Sequence, residues 1–263
     1  MQDWGSSRQL TAIGRGDLSM PVRQSLRDGV IDANSTVLDY GCGRGQDVAR
    51  LCQMGLDVDG WDPFYAPDTS LGVRDVVLLN YVLNVIEDAT ERKDTLNRAW
   101  QLASKVLVVS CRLKWELSSV SGIESGDGLV TSRDTFQHFF SPNEIRMFVE
   151  ELTGRRCVSP SPGVVYVFRR DEDRFAYLAR ETIADFEWTD SQDYASAVAE
   201  VVSFTEERGR PPLFEEIPPD LLPLLGTISR RSMLEIIRKG ASPERVATGF
   251  KRTTLDTLLY LGT

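Results

Sequence analysis

Apolar residues in this chain gather first into short, nearly continuous runs and later into helically spaced positions. The runs at 36–40 (TVLDY), 56–61, 75–79 (DVVLL) and 105–111 (KVLVVSC) read as buried strands, being short, rich in β-branched residues and bounded by glycines or polar residues. Between them, residues 46–54 place Val48, Leu51 and Cys52 on one helical face before Gly55, and residues 89–103 read as a longer helix. The polar start, 1–35, contains a short helical pattern over 21–29, with Ser19 as the expected cap, Pro21 in the first turn and Gly29 at the end. Strand and helix alternate, which predicts an α/β fold with a mainly parallel sheet and helices on both faces.

Farther along, residues 112–134 hold glycine, serine and aspartate and read as an excursion over the surface. Ser141-Pro142 opens a helix to about residue 152, and Cys157-Val158 with residues 164–168 forms a hairpin around Ser-Pro-Ser-Pro-Gly. The α/β domain is expected to span residues 1–170. From 171 to 263 the period changes. Helical spacing appears at 175–186, 194–207, 231–238 and 255–261, split by a proline-rich connector at 210–223, so a smaller helical region is expected there, acting as a lid or a partner-binding part.

The segment from Val37 to Gly45 concentrates the chemistry. It runs strand, acid, G-x-G-x-G, helix: Asp39, then Gly41, Cys42, Gly43, Arg44 and Gly45. Glycines let the backbone turn sharply and approach a ligand, and the helix that follows aims N–H groups into the crevice. Asp62 closes the second strand, 62 − 41 = 21 residues after the first glycine, the spacing of a carboxylate that accepts hydrogen bonds from ribose hydroxyls. A dinucleotide fingerprint reads G-x-G-x-x-G. Here the third glycine comes one place early, and Asp39 would repel a pyrophosphate while suiting a ligand with a positive charge and an amino group.

Composition narrows the alternatives. Of 263 residues, 41% are hydrophobic and 26% charged, ordinary for a globular chain. Net charge is −9 and the pI about 4.8, which opposes non-specific binding to a phosphate backbone. One stretch departs from this: Arg230, Arg231, Arg238, Lys239, Arg245, Lys251 and Arg252 face only Glu235 and Glu244, which reads as a solvated helical surface or as a docking patch for a nucleic acid or an acidic partner. The four cysteines are scattered and the only histidine is His138, so no metal site is expected. Without a secretory start or an apolar run of about 18 residues, the expected location is the cytoplasm, with no membrane partner.

The acidic strand end and its G-x-G-x-G turn resemble motif I of class I S-adenosylmethionine methyltransferases, a Rossmann-like fold. That resemblance implies S-adenosylmethionine as cofactor, with Asp39, Gly41, Cys42, Gly43 and Gly45 around its methionine part and Asp62 and Pro63 at the ribose. Residues 75–88 resemble the family's segment after the next strand, where Asn80 contacts the cofactor and Tyr81 and Asn84 face the substrate. The family's intervening helix and strand, with the acid that touches adenine, have no room between 63 and 74. Longer phrases, TAIGRGDLSMP, LDYGCGRGQDV, GWDPFYAP, NYVLNVIEDATER and TFQHFFSPNE, and more loosely ERGRPP, are similar to the DNA phosphorothioation-associated methyltransferase family over roughly residues 10–170. This implies methyl transfer in a DNA-modification setting.

The acceptor stays open between a nucleic acid and a small molecule. The N/D-P-P-Y/F motif of amino-group DNA methylation is replaced by Asn80-Tyr81-Val82-Leu83, and no cysteine follows a proline. Tyr81, Asn84 and His138 are the catalytic candidates, His138 because imidazole is the natural base near neutral pH. Against each stands an ordinary role in packing or capping. Trp61, Phe64 and Tyr65 beside Asp62 either stack on the ligand or pack in the core. The remaining alternatives are modification of a small metabolite, and a non-catalytic cofactor-binding subunit whose C-terminal region joins a protein partner or a second copy.

Overall fold

The computed structural model describes residues 8–12, 14, 16–183, 192–213, 216–218 and 230–261. It forms two compact units, Met1–Arg169 and Arg170–Thr263.

The first unit is built on β1 (Thr36–Tyr40), β2 (Asp57–Trp61), β3 (Arg74–Asn80), β4 (Ala103–Ser110), then β5 (Gly122–Ser125), β6 (Gly128–Thr131), β7 (Phe136–Gln137), β8 (Cys157–Ser161) and β9 (Val164–Phe168). Six of these make one sheet in the order β2-β1-β3-β4-β9-β8. The first four run parallel, β9 is antiparallel to β4, and β8 is antiparallel to β9. Helices α1 (Met20–Arg27), α2 (Gln46–Gln53), α3 (Ala89–Leu102) and α4 (Pro142–Thr153) join them. This is a Rossmann-like α/β fold, as the alternation of strand and helix implies.

Successive side chains of a strand point to opposite faces. Leu38 and Tyr40, Val77 and Leu79, and Leu107 and Val109 therefore share a face, where they join Leu96, Ala99 and Trp100 of α3 and Ile145 and Val149 of α4 in one buried cluster. At the start of α4 the Ser141 hydroxyl accepts from the Glu144 N–H (3.2 Å), and the Glu144 carboxylate accepts from the Ser141 N–H (2.6 Å). Such a reciprocal cap stabilises a helix by about 1 kcal/mol. Ser19 sits at the N-cap of α1, but its side chain makes no capping bond. Its N–H instead donates to Asp47 (2.8 Å), tying α1 to the start of α2. Cys52, expected on the apolar face of α2, is exposed, and Leu51 alone is fully buried there.

β2 is an edge strand, with Asp57 exposed, Val58 buried and Asp59, Gly60 and Trp61 half-buried. The connection from β2 to β3 contains neither helix nor strand, only a bridge between Asp62 and Ala66. No crossover helix lies over that part of the sheet, and the polar positions of β2 follow from this: Asp59 pairs with Arg74 at the start of β3.

The segment 112–134, mostly exposed or half-buried, carries structure of its own. It holds a 3-10 turn, Lys114–Ser119, and the hairpin β5–β6, which β7 completes as a three-stranded antiparallel sheet. Its tip is anchored by Asp127, which pairs with the buried Arg92 of α3.

The second unit contains α5 (Asp171–Ile183), α6 (Gln192–Arg208), α7 (Arg230–Gly240) and α8 (Pro243–Leu261). Leu178, Ala197, Val198, Val201, Val202 and Ile236 are buried in it. The last helix starts at Pro243 rather than at 255. Pro243 suits a first turn, the Ser242 N–H donates to Glu206 (2.7 Å), and Gly249 and Thr253 break the apolar spacing that would have marked the helix. Part of the basic stretch is neutralised: Arg238 pairs with Glu235 (2.8 Å) and Arg252 with Glu207 (3.6 Å). The side chains of residues 230 and 231, residues 184–186 of the expected first helix, and half of the connector 210–223 lie outside what is described. No helix of the described residues is long and apolar enough to cross a membrane.

Candidate active site

The glycine turn leaves the carboxyl end of β1 where the strand order reverses, with β2 on one side and β3 on the other. Open α/β sheets bind ligands at such a point. Gly41 and Gly43 hold φ of 93° and 54°, a region costly for residues with a Cβ. A Cβ on Gly41 would also lie 2.4 Å from Cγ2 of Val82.

The hydrogen bonds of this turn set its chemistry. The N–H groups of Gly41 and Cys42 donate to the Trp61 carbonyl (2.7 and 3.0 Å), and that of Gly45 to the Cys42 carbonyl (3.0 Å). The Gly43 N–H donates to Oδ2 of Asp62 (3.0 Å), while Oδ1 of Asp62 accepts from the N–H groups of Phe64 and Tyr65 (both 2.9 Å). Four amides that a phosphate-binding turn would aim at its ligand are thus used within the protein. Asp62 clamps the glycine turn to the end of β2, and three of its roughly four lone-pair positions are filled.

Above the turn opens a cleft of about 1230 Å³. Gly41, Cys42, Gly43, Asp62, Pro63, Asn80 and Tyr81 all border it. Asp39 is buried one strand position from Tyr40, and Gly45 sits behind the turn as the N-cap of α2. Asn80 ends β3. The Ser110 hydroxyl donates to its Oδ1 (3.0 Å), which fixes the amide and leaves the buried Nδ2 without a partner among the described residues. Such an orphan donor costs about 1–3 kcal/mol. Tyr81 follows at φ 58°, its N–H on the Ser110 carbonyl (2.9 Å). A non-glycine residue held there carries strain of about 1–3 kcal/mol, of the kind that gathers at functional sites.

Two further walls were not foreseen. Along α3, Glu91, Asp94, Thr95, Asn97, Arg98 and Gln101 present a polar face to the cleft. A short 3-10 strap, Arg8–Thr11, crosses it. Arg8 is bound to Glu87 (Nε–Oε2 2.8 Å) and Glu91 (Nη1–Oε1 2.5 Å, Nη2–Oε2 2.9 Å), and the Tyr65 hydroxyl donates to the Gln9 carbonyl (2.8 Å). Burial opposes the charge on Arg8, yet hydrogen bonds to Glu91 and Glu87 hold its pKa above the ordinary arginine value. These contacts join residues about 80 positions apart in a polar stretch, and only the lone arginine among uncharged neighbours hinted at them.

Asn84 and His138 are not part of the cleft. The 3-10 turn Leu83–Val85 rotates Asn84 inward, where it is 1% exposed. Its Nδ2 donates to the His138 carbonyl (2.7 Å), and its Oδ1 accepts from the Arg112 N–H (3.0 Å). Asn84 therefore staples the end of β3 to the chain before α4. His138 packs edge-on against Phe140 (4.4 Å between centroids), with Nδ1 2.7 Å from the Asp127 carbonyl. Burial lowers its pKa, against a raising contribution from Asp127. Neither residue borders the cleft, and the Asn84 amide is committed to backbone partners.

Of the aromatic trio, Trp61 packs on Tyr40 (4.6 Å) and Phe64 stays 61% exposed at the cleft. The cysteines are quiet. Burial first, then the charges of Asp39 and Asp62, pushes the Cys42 thiol up to about 12. Cys111 rises to about 12 by burial, then the charges of Glu116 and Glu144. Neither is a thiolate nucleophile near neutral pH.

No protein-family model matches the chain, and no curated protein does. Among solved structures it is similar to magnesium protoporphyrin IX methyltransferase from Synechocystis, at 19% identity and a TM-score of 0.42 over 64% of this chain and 95% of that one. It is also similar to a sugar N-methyltransferase from Streptoalloteichus (14%, TM-score 0.44, 59% and 89% of the two chains). A third is 1,6-didemethyltoxoflavin-N1-methyltransferase from Burkholderia thailandensis (17%, TM-score 0.42, 63% and 85%). At these identities and TM-scores the matches add nothing to what strand order and site geometry carry.

Proposed function

We propose that this chain is an S-adenosylmethionine-dependent methyltransferase. The observation that carries the reading is the glycine turn, four of whose amides are spent internally and whose neighbours are two carboxylates, Asp39 and Asp62. Such a turn suits a cofactor that has no phosphate and bears a sulfonium and an ammonium. Asp39 and the backbone of residues 41–45 would hold the methionine part, with the amide of Asn80 supplying a donor for its carboxylate. The remaining lone pair of Asp62 would take a ribose hydroxyl.

When bound, the cofactor supplies an electrophilic methyl group that passes to an acceptor lone pair as the carbon–sulfur bond breaks. The protein's part is placement. Tyr81, held rigidly at the end of β3, borders the space where an acceptor would approach. Cys42 remains a thiol and does not compete for the methyl group.

The phrases shared with the phosphorothioation-associated family give the reaction a DNA-modification setting. Modification of a small molecule is the second reading, and the Arg8–Thr11 strap across the cleft favours it. Acceptor binding that falls steeply with salt would favour the nucleic acid. Cofactor binding without turnover on either class would leave a binding subunit.

The test is calorimetric titration of S-adenosylmethionine and S-adenosylhomocysteine, with NAD as the phosphate-bearing control. Micromolar binding of the first two, weakened at least tenfold by Asp62→Ala, about 1.4 kcal/mol, is expected. No binding at millimolar ligand, or equal binding of NAD, overturns the proposal.

A further inference from the structure

The strap Arg8–Thr11 lies along the cleft without joining the core. None of its residues is buried, and its one large apolar side chain, Leu10, is 61% exposed. Polar contacts fasten it at two ends instead. On the side of α3, Arg8 engages the carboxylates of Glu87 and Glu91. On the side of β2, the Gln9 carbonyl accepts from the hydroxyl of Tyr65, three residues past Asp62 (2.8 Å). Ala12, the next residue after the strap, sits against the glycine turn: a Cβ built on Gly43 would come 3.2 Å from its own.

The two carboxylates divide the work of a latch. Glu91 is 46% exposed, and an ion pair so open to water contributes little and weakens with salt. Glu87 is more enclosed, and its Oε1 is buried without a partner among the described residues. A carboxylate so placed needs the Arg8 charge, which favours the fastened arrangement without an apolar anchor to make it permanent. Arg8, Gln9, Thr11 and Ala12 all border the cleft, so a ligand seated on the glycine turn lies beneath them. We propose that the strap is a gate: on the cofactor reading, on which this inference rests, the cofactor enters and leaves only while Arg8 is off Glu87 and Glu91. A gate that does not grip its ligand closes equally well over an empty and a filled cleft. It therefore slows entry and exit by the same factor and leaves affinity alone. A strap residue that gripped the ligand would slow exit only.

The experiment is stopped-flow mixing of S-adenosylhomocysteine with wild type, Arg8→Ala and Glu91→Gln, read by tryptophan fluorescence, since Trp61 borders the cleft, with calorimetry for Kd. Arg8→Ala is expected to speed association and release at least tenfold each, with Kd within threefold of wild type. Glu91→Gln removes one charge and leaves Arg8 on Glu87, so its rates should fall between the two. Raising salt from about 0.1 M to about 1 M shortens the Debye length from about 10 Å to about 3 Å and should speed release about threefold in wild type but hardly in Arg8→Ala. Thermal melts check that the variants fold; should Arg8→Ala fail, Glu91→Gln decides, and wild-type rates in it overturn the gate. Unchanged rates in Arg8→Ala, or faster release with unchanged association, also overturn the gate while the cofactor reading stands. If wild type does not bind S-adenosylhomocysteine, both fall together.

Discussion

Gly41→Ala probes the glycine turn through two separable costs. The first is conformational: φ of 93° strains any residue with a Cβ, at about 1–3 kcal/mol. The second is contact: the new methyl would lie 2.4 Å from Cγ2 of Val82, where carbon atoms prefer about 3.5–4.0 Å. Val82 packs against the main core and cannot swing away freely, so overpacking adds about 1–3 kcal/mol. The sum, about 2–6 kcal/mol, is a large share of the roughly 5–15 kcal/mol that holds a domain together. Urea denaturation followed by tryptophan fluorescence measures it, and S-adenosylhomocysteine titration reports on the turn itself. In a Val82→Ala background the contact disappears and the dihedral cost remains. Gly41→Ala should therefore be milder there by about 1–3 kcal/mol, a coupling that a double-mutant cycle isolates. An equal cost in both backgrounds, or a cost below about 0.5 kcal/mol in the wild type, would refute this account.

Asn84→Ala strips partners from the His138 carbonyl and the Arg112 N–H, so it should destabilise the first unit by about 2–5 kcal/mol while cofactor affinity in the folded protein changes less than threefold; denaturation and calorimetry on one sample separate the two. The folded-state pKa of His138 is depressed below its ordinary 6.5, chiefly by burial, so its contribution to stability is present above 6.5 and is lost as pH falls toward the lower folded value. Melting temperatures between pH 7.5 and 5 should drop more in the wild type than in His138→Asn, and parallel curves would contradict the linkage.

The strands β1, β3 and β4 were legible because both of their faces are covered, which turns them into near-continuous apolar runs. Their glycine turn and Asp62 could be read from spacing alone. β5, β6 and β7 could not: they are two to four residues long, contain glycine and serine, and owe their pairing to Asp127 and Arg92, distant in sequence. Asn84 was placed by its nearness to the end of β3, whereas one 3-10 turn redirects its side chain into the protein. The strap at Arg8–Thr11 left no periodic trace, since two ion pairs and one hydroxyl hold it rather than an apolar face. Residues 89–103 were legible as a helix, but nothing in their pattern said that its polar face would line the cleft.

The bare flank of β2 also bears on how the molecule behaves in a crowd. An outermost strand offers a free row of N–H and C=O groups on which another copy could add a strand. Within its five residues β2 carries two aspartates, one exposed and one half-buried in its pair with Arg74. Copies meeting edge to edge would bring like charges opposite one another and part again. An uncharged β2 would lose that repulsion, and the sheet could grow from one chain into the next.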